Sequence, residues 1–256
     1  MKNIKVKDIF EWAQSKGLYS TYSSISNLNQ IITRPQTTLG ASLENISFTF
    51  GIESKAGVIF KHHDCKTKSN SHLTIFSKYP KIDFVKCVSI FFKPEPCKII
   101  KGDNVTIGKN CTIGSAGFGY LKDYDGTWIR FPHYGNVIIG NNVDIGDNNT
   151  ITRGTLGDTV IGDGVKTDCG VHIAHNSIIG KNCMFAAHAM VAGSVSMGEN
   201  CWVGPSSSII NKAKIGKNVF IGIGSNIIND IPDDVVVAGN PAKILRKNKG
   251  LQNSVK

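Results

Sequence analysis

From Ile161 onward a large apolar residue recurs at every sixth position. The series runs Ile161, Ile173, Ile179, Phe185, Val191, Met197, Val203, Ile209, Ile215, Ile221 and Ile227, with Thr167 its one polar member. Two places before these positions stand small or β-branched residues such as Val171, Ser177, Cys183, Ala189, Val195, Cys201 and Ser207. An ordinary half-buried strand alternates for a few residues and stops, so a period of six held this long requires a closed circuit. Three short strands per turn, about 18 residues in all, meet that requirement. The large side chain points into a triangular prism and the small one sits nearer a corner. Glycine or asparagine takes the turn, where a positive φ costs it little.

The same register, shifted in phase, passes through Ile139, Ile145 and Ile151 and then skips ten residues to Ile161, so a loop is expected near Thr155 to Asp158. Ile107 and Ile113 begin the repeat, residues 115–136 interrupt it with a longer excursion, and about six coils follow. Residues 1–98 read differently. Asp8 to Ser15 predicts a short amphipathic helix ended by Gly17, and Ile46–Phe50, Gly57–Phe60 and Leu73–Phe76 predict strands. Pro80 opens a second helix with Ile82, Val85, Val88 and Phe91 at steps of three, closed by Pro94. The expected organisation is a small α/β domain over 1–98, a candidate nucleotide-binding unit, then a parallel β-helix over 99–231. A turn at Gly239-Asn240-Pro241 and a partly loose basic tail with Lys243, Arg246, Lys247 and Lys249 fill 232–256.

Composition narrows the class. A chain of 256 residues, 41% hydrophobic, with mean hydropathy −0.07, reads as globular. No apolar run approaches the roughly 18 residues of a membrane span, and the start lacks the uninterrupted apolar stretch of a secretory signal, so a cytoplasmic protein is expected. Seven cysteines, an odd number without CxxC or CxxH spacing, predict reduced thiols and no zinc site. Cys111, Cys183 and Cys201 fall in the small inward slot and read as core. His62, His63, Asp64 and Cys65 resemble a metal cluster in composition only, and no metal is expected. A formal charge of +10 favours anionic partners such as nucleotides or phosphopantetheine carriers.

Residues 18 apart lie above one another on neighbouring coils, which places His175, Gly193, Asn211 and Asn229 in one corner column. An imidazole in a groove can take a proton from an attacking amine or hydroxyl. The backbone N–H of Gly193, one coil on, can receive the oxygen of a tetrahedral intermediate. Asp168, seven residues before His175, is a candidate to orient the ring; a solvated corner histidine is the plain alternative.

Two stretches carry a resemblance. They are Thr152-Arg153-Gly154-Thr155-Leu156-Gly157-Asp158-Thr159-Val160-Ile161-Gly162 with His172-Ile173-Ala174-His175-Asn176, and Gly117-Phe118-Gly119-Tyr120 with Trp128 and Pro132. Over residues 100–230 the chain resembles the UDP-3-O-acylglucosamine N-acyltransferases of lipid A synthesis. That resemblance implies a left-handed β-helix and a homotrimer with clefts between protomers. It also implies a general base at His175, an orienting Asp168 and an oxyanion glycine at Gly193. Ile46-Ser47-Phe48 matches the family's nucleotide-stacking phenylalanine, but the polar partners that follow are replaced around Gly51, Ser54 and Lys55. The family's Asp before Arg153 is Thr152 here, its Gln is His172, and a second histidine is replaced around Lys212, so the acceptor and acyl pockets differ.

Val237-Ala238-Gly239-Asn240-Pro241-Ala242-Lys243 resembles the closing segment of hexapeptide acetyltransferases that use acyl-CoA. This implies Asn211, Asn229, Lys243 and Arg246 as contacts for coenzyme A. The aromatic excursion, with Phe118, Tyr120, Trp128 and the adjacent His133, is expected to contact the sugar or pack a trimer.

The expected function is N-acyl transfer from acyl-CoA to the amine of a dTDP- or UDP-linked amino sugar. One alternative is the lipid A reaction with an acyl carrier protein donor; another is a non-catalytic β-helix scaffold. A trimeric metal hydratase would need histidines five apart, and His172 and His175 are three apart.

Overall fold

The computed structural model describes residues 3–23, 25–37, 39–49, 53–66 and 70–248. Phe50, Gly51 and Lys249 lie outside the described residues. The chain divides into two compact units, one of residues 1–95 with 119–132 and the other of 96–118 with 133–256. The excursion expected as part of the β-helix domain is thus counted with the small unit between residues 119 and 132.

In the small unit, α1 spans Val6–Ser15 and buries Val6, Ile9 and Ala13, which the helical period brings to one face. Asp8 accepts the Lys5 backbone N–H at 2.8 Å, capping the first turn, and Gly17 ends the helix at φ +68°. The sheet runs Tyr19–Tyr22, Leu73–Ser77, Val58–His62, Asn45–Thr49, Arg34–Pro35, antiparallel at the first pairing and parallel through the rest. The three expected strands are present with their ends moved by a residue or two. Tyr19–Tyr22, polar and exposed, lacks the alternation that would have announced it.

α2 covers Pro80–Phe91, with proline in its first turn. Its buried stripe runs through Asp83, Phe84, Val85, Cys87 and Val88 rather than through Ile82 and Phe91. Phe84 decides this: it meets Phe48 at 5.0 Å and Phe60 at 6.1 Å, anchoring the helix to the sheet. The antiparallel hairpin Tyr120–Lys122 with Trp128–Arg130 completes the unit.

The second unit is a three-sided parallel β-helix. One ladder stacks Thr112–Ala116, Thr150–Arg153, His172–Ile173, Met190–Val191, Ser208–Ile209 and Asn226–Ile227. A second runs from Ile99–Lys101 to Lys214–Ile215, and a third from Thr106–Ile107 to Phe220–Ile221. The hexad residues Ile161, Ile173, Ile179, Phe185, Val191, Met197, Val203, Ile209, Ile215, Ile221 and Ile227 form its core. Cys183 and Cys201 are fully buried in it, and their thiols donate to the carbonyls of Gly198 and Gly216, each at 3.1 Å. Cys111 is only partly buried against that core.

The turn residues keep the period of six. Asn176, Asn182, His188, Ser194, Asn200, Ser206, Lys212 and Asn218 all hold φ between +54° and +66°. Histidine, serine and lysine therefore share with asparagine the left-handed corner expected of glycine and asparagine.

The C-terminal segment is not a separate piece. Val235–Gly239 joins the third ladder in parallel, and Ala242–Lys247 folds back antiparallel on it, so the basic stretch is strand as far as Lys247. Among the described residues no helix is long and apolar enough to cross a membrane.

Candidate active site

His175 follows the strand His172–Ile173 at the corner leading to Ile178–Ile179. Its carbonyl accepts the Ser194 N–H at 2.8 Å, and the Gly193 carbonyl accepts the Lys212 N–H at 2.9 Å, so the column His175, Gly193, Asn211 stacks as the 18-residue repeat requires. The imidazole lies directly against Gly193. A β-carbon at that position would come within 2.6 Å of Cε1 and 2.7 Å of Nε2. Glycine is thus required by close approach, and the Gly193 N–H donates to no group among the described residues.

The other ring nitrogen is held. His175 Nδ1 stands 3.1 Å from Asn176 Oδ1. The orientation of that amide is set by its neighbours, because Oδ1 also accepts the Thr155 N–H at 3.0 Å and its hydroxyl at 2.8 Å, while Nδ2 donates to the Gly157 carbonyl at 3.2 Å. An amide oxygen can only accept, so the nitrogen facing it carries the proton and Nε2 keeps the lone pair. Asn176 in turn is placed by its left-handed backbone, φ +61°, and by a bond from its own N–H to Thr159 Oγ1 at 2.9 Å.

The ten-residue skip builds this support. The loop after Arg153 folds back so far that a β-carbon on Gly154 would sit 1.8 Å from the Gly157 carbonyl oxygen. Tyr134 and Gly135 donate their N–H groups to the Thr155 carbonyl at 2.6 and 3.1 Å, and buried Arg153 donates Nε to the Gly135 carbonyl at 2.7 Å. This strap positions His133. Its ring is buried and meets the His175 ring edge-on at a centroid distance of 5.5 Å. The Gly117 backbone lies against both rings. His172, half-buried on the same ladder, has its pKa lowered by burial and then by the charge of His175.

Three imidazoles therefore gather around one corner, and two of the expected contacts, His133 and His172, belong to it. Asp168 does not. It lies at the preceding corner, after Lys166–Thr167, exposed, with its carboxylate accepting the Cys169 N–H at 2.7 Å. Seven residues of chain cross a whole face of the prism, so within one chain Asn176 takes the place expected of Asp168 beside Nδ1. Asn211 and Asn229 are exposed and continue the His175 column. Lys243 and Arg246 are also exposed but stand on the last strand of the third ladder, opposite Ala238 and Val236.

Phe118 is 88% exposed. Tyr120 and Trp128 are exposed on the hairpin of the small unit, where the Arg130 guanidinium lies over the Tyr120 ring at 6.0 Å. Phe48 is half-buried, with its ring 5.0 Å from that of Phe84 and tilted 50° to it. Sequence reasoning missed Asn176 and Gly117. The Ala-His-Asn string was in view, but the side-chain role of its asparagine depends on a loop 19 to 21 residues away in sequence. Among the described residues no three His, Cys, Asp or Glu side chains gather as a metal site.

Comparison with known proteins agrees with this architecture. Residues 158–193 match the bacterial transferase hexapeptide (six repeats) family. The UDP-3-O-acylglucosamine N-acyltransferase of Cytophaga hutchinsonii is 52% identical over 86 residues, 34% of this chain and 25% of that protein. The namesake from Coxiella burnetii is 52% identical over 93 residues, 36% of this chain and 27% of that protein. The chain therefore spans about a quarter of the length of the curated relatives it matches. Among solved structures, LpxA from Acinetobacter baumannii superposes with a TM-score of 0.54 at 24% identity, covering 87% of this chain and 70% of that one. The protein is mainly β, and its second unit is a left-handed parallel β-helix in which residues 158–193 match bacterial transferase hexapeptide repeats.

Proposed function

We propose that the chain is an acyltransferase moving an acyl group from a thioester to the amine of a UDP-linked amino sugar. The observation that carries this reading is the His175 ring, with Nδ1 held by Asn176 and the ring packed against Gly193, whose N–H donates to no group among the described residues. The names of the matched relatives support UDP over dTDP as the nucleotide and N-acylation of a glucosamine unit as the reaction. They weigh against the expected acyl-CoA and dTDP-sugar reading and toward its lipid A alternative.

In the reaction, the amine nitrogen attacks the thioester carbonyl as His175 Nε2 takes its proton. The oxyanion forms against the Gly193 N–H. Collapse breaks the carbon–sulfur bond, and the proton passes from the imidazolium to the departing thiolate, leaving an amide and a free thiol. His133 and His172 border the base, and burial holds the pKa of His172 below its ordinary value. The site lies on a prism corner, so a second protomer of a homotrimer is proposed to wall the cleft.

The test incubates the purified chain with UDP-linked and dTDP-linked amino sugars, each with acyl carrier protein and CoA thioesters. Transfer to the UDP sugar is expected. Substituting His175 with Ala is expected to lower the rate by about 10²–10⁴-fold without changing the circular dichroism spectrum. An unchanged rate in that variant overturns the reading.

A further inference from the structure

The small unit holds a cavity of about 670 Å³ that the chemistry above does not use. That size lies within the roughly 300–1,000 Å³ that accommodates small molecules. It opens between the C-terminal half of α1, α2 and the hairpin, all within this unit. Its wall is aliphatic and aromatic, from Trp12, Leu18, Val85, Ile90 and Ile129. Ile90 is 63% exposed at its edge, an apolar residue left uncovered.

Set into this wall are three cations, Lys16, Lys86 and Arg130. Lys86 is occupied, paired with Asp123 at 2.6 Å and lying 4.2 Å above the Tyr124 ring. Lys16 and Arg130 have no ion-pair partner among the described residues, and both are exposed. The acidic group of the lining, Asp83, is buried and accepts the Ser77 hydroxyl. Tyr124 is bonded to the same carboxylate, which adds to burial in raising its pKa, so the phenol stays neutral. One more polar group is unspent. The Trp12 Nε1–H is buried with no acceptor among the described residues, an arrangement that is unfavourable unless an acceptor arrives.

An apolar pocket with two cations outside any ion pair among the described residues, Arg130 lying over the Tyr120 ring, and an orphaned donor fits one ligand chemistry. We propose that this cavity binds an aliphatic anion, a hydrocarbon chain lying along Leu18, Val85, Ile90 and Ile129, with a terminal carboxylate or phosphate at Lys16 and Arg130. This site lies in the small unit and does not depend on the reaction assigned to His175.

Isothermal titration of the full chain with decanoate, decyl phosphate and 1-decanol tests it. Both anions are expected to bind one per chain, at least tenfold tighter than the alcohol, and the tighter of the two identifies the head group. Lys16→Glu with Arg130→Glu should weaken the anions at least tenfold and leave the alcohol unchanged. Ser89→Trp, at an exposed lining position, should weaken all three by filling the cavity. These positions are solvent-facing, and a thermal melt by circular dichroism confirms folding of each variant. Equal affinity for alcohol and anions, anion binding indifferent to the charge reversal, or no binding of any of the three overturns the proposal.

Discussion

His175 Nδ1 stands 3.1 Å from Asn176 Oδ1, and that oxygen is itself fixed by Thr155. The residue following the imidazole therefore decides which of its nitrogens is basic. Asn176→Leu removes the acceptor and frees the ring to turn. The acyl-transfer rate is expected to fall between about 10- and 100-fold, short of the full contribution of a general base. Asn176→Asp keeps an acceptor and adds a negative charge, which favours the imidazolium. Because the base acts in its neutral form, the acid limb of the pH–rate profile should move to higher pH. A profile unmoved by this substitution would show that Asn176 does not touch the working base.

Gly193→Ala places a methyl within 2.7 Å of His175 Nε2, and the ring must give way because the coil behind it is fixed by the Ser194 and Lys212 ladder bonds. A displacement near 1 Å at a reacting group costs about 10²-fold in rate. Stability should change far less, since the strand pairs on either side are untouched. Steady-state kinetics beside a urea melt separates the two effects.

The hexad series was readable because every coil repeats the same inward slot, so Ile173 and Ile221 face one core for the same reason. The stacking of His175 beneath Gly193 follows from that arithmetic. Asp168 stands at the preceding corner within this chain because strands advance about 3.3 Å per residue, so seven residues along a face carry a side chain away rather than beside. Asn176 escaped notice because its partners sit in the one stretch, 154–158, where the period lapses. The hairpin around Tyr120 and Trp128 is counted with the small unit, which its aromatic composition does not foretell, because composition says that it packs, not against what.

His172 gives the fold a pH dependence of definite sign. Burial, then the neighbouring His175 charge, lowers its folded pKa below the ordinary 6.5, so the unfolded chain binds more protons between those two values. Stability contributed by the neutral ring is complete above about pH 6.5 and is lost as pH falls through that window. Urea midpoints measured from pH 7.5 down to pH 5 should decline in the wild type. His172→Gln, which cannot titrate, should flatten that decline. An equal slope in both proteins would assign the acid sensitivity to other groups.

Gly154→Ala tests whether the loop is the foundation of the site. The added methyl would sit 1.8 Å from the Gly157 carbonyl oxygen, and backbone cannot move aside as the end of a long side chain can. Relief requires the loop to open, which withdraws Thr155 and Gly157 from the Asn176 amide and so loosens the support of His175. Overpacking of this kind costs about 1–3 kcal/mol. Two readouts should therefore change together: a lower urea midpoint and a rate reduced to the level of Asn176→Leu. The double variant should be no slower than either single one, because both act through the same imidazole. A destabilised Gly154→Ala protein with full activity would separate the loop from the base.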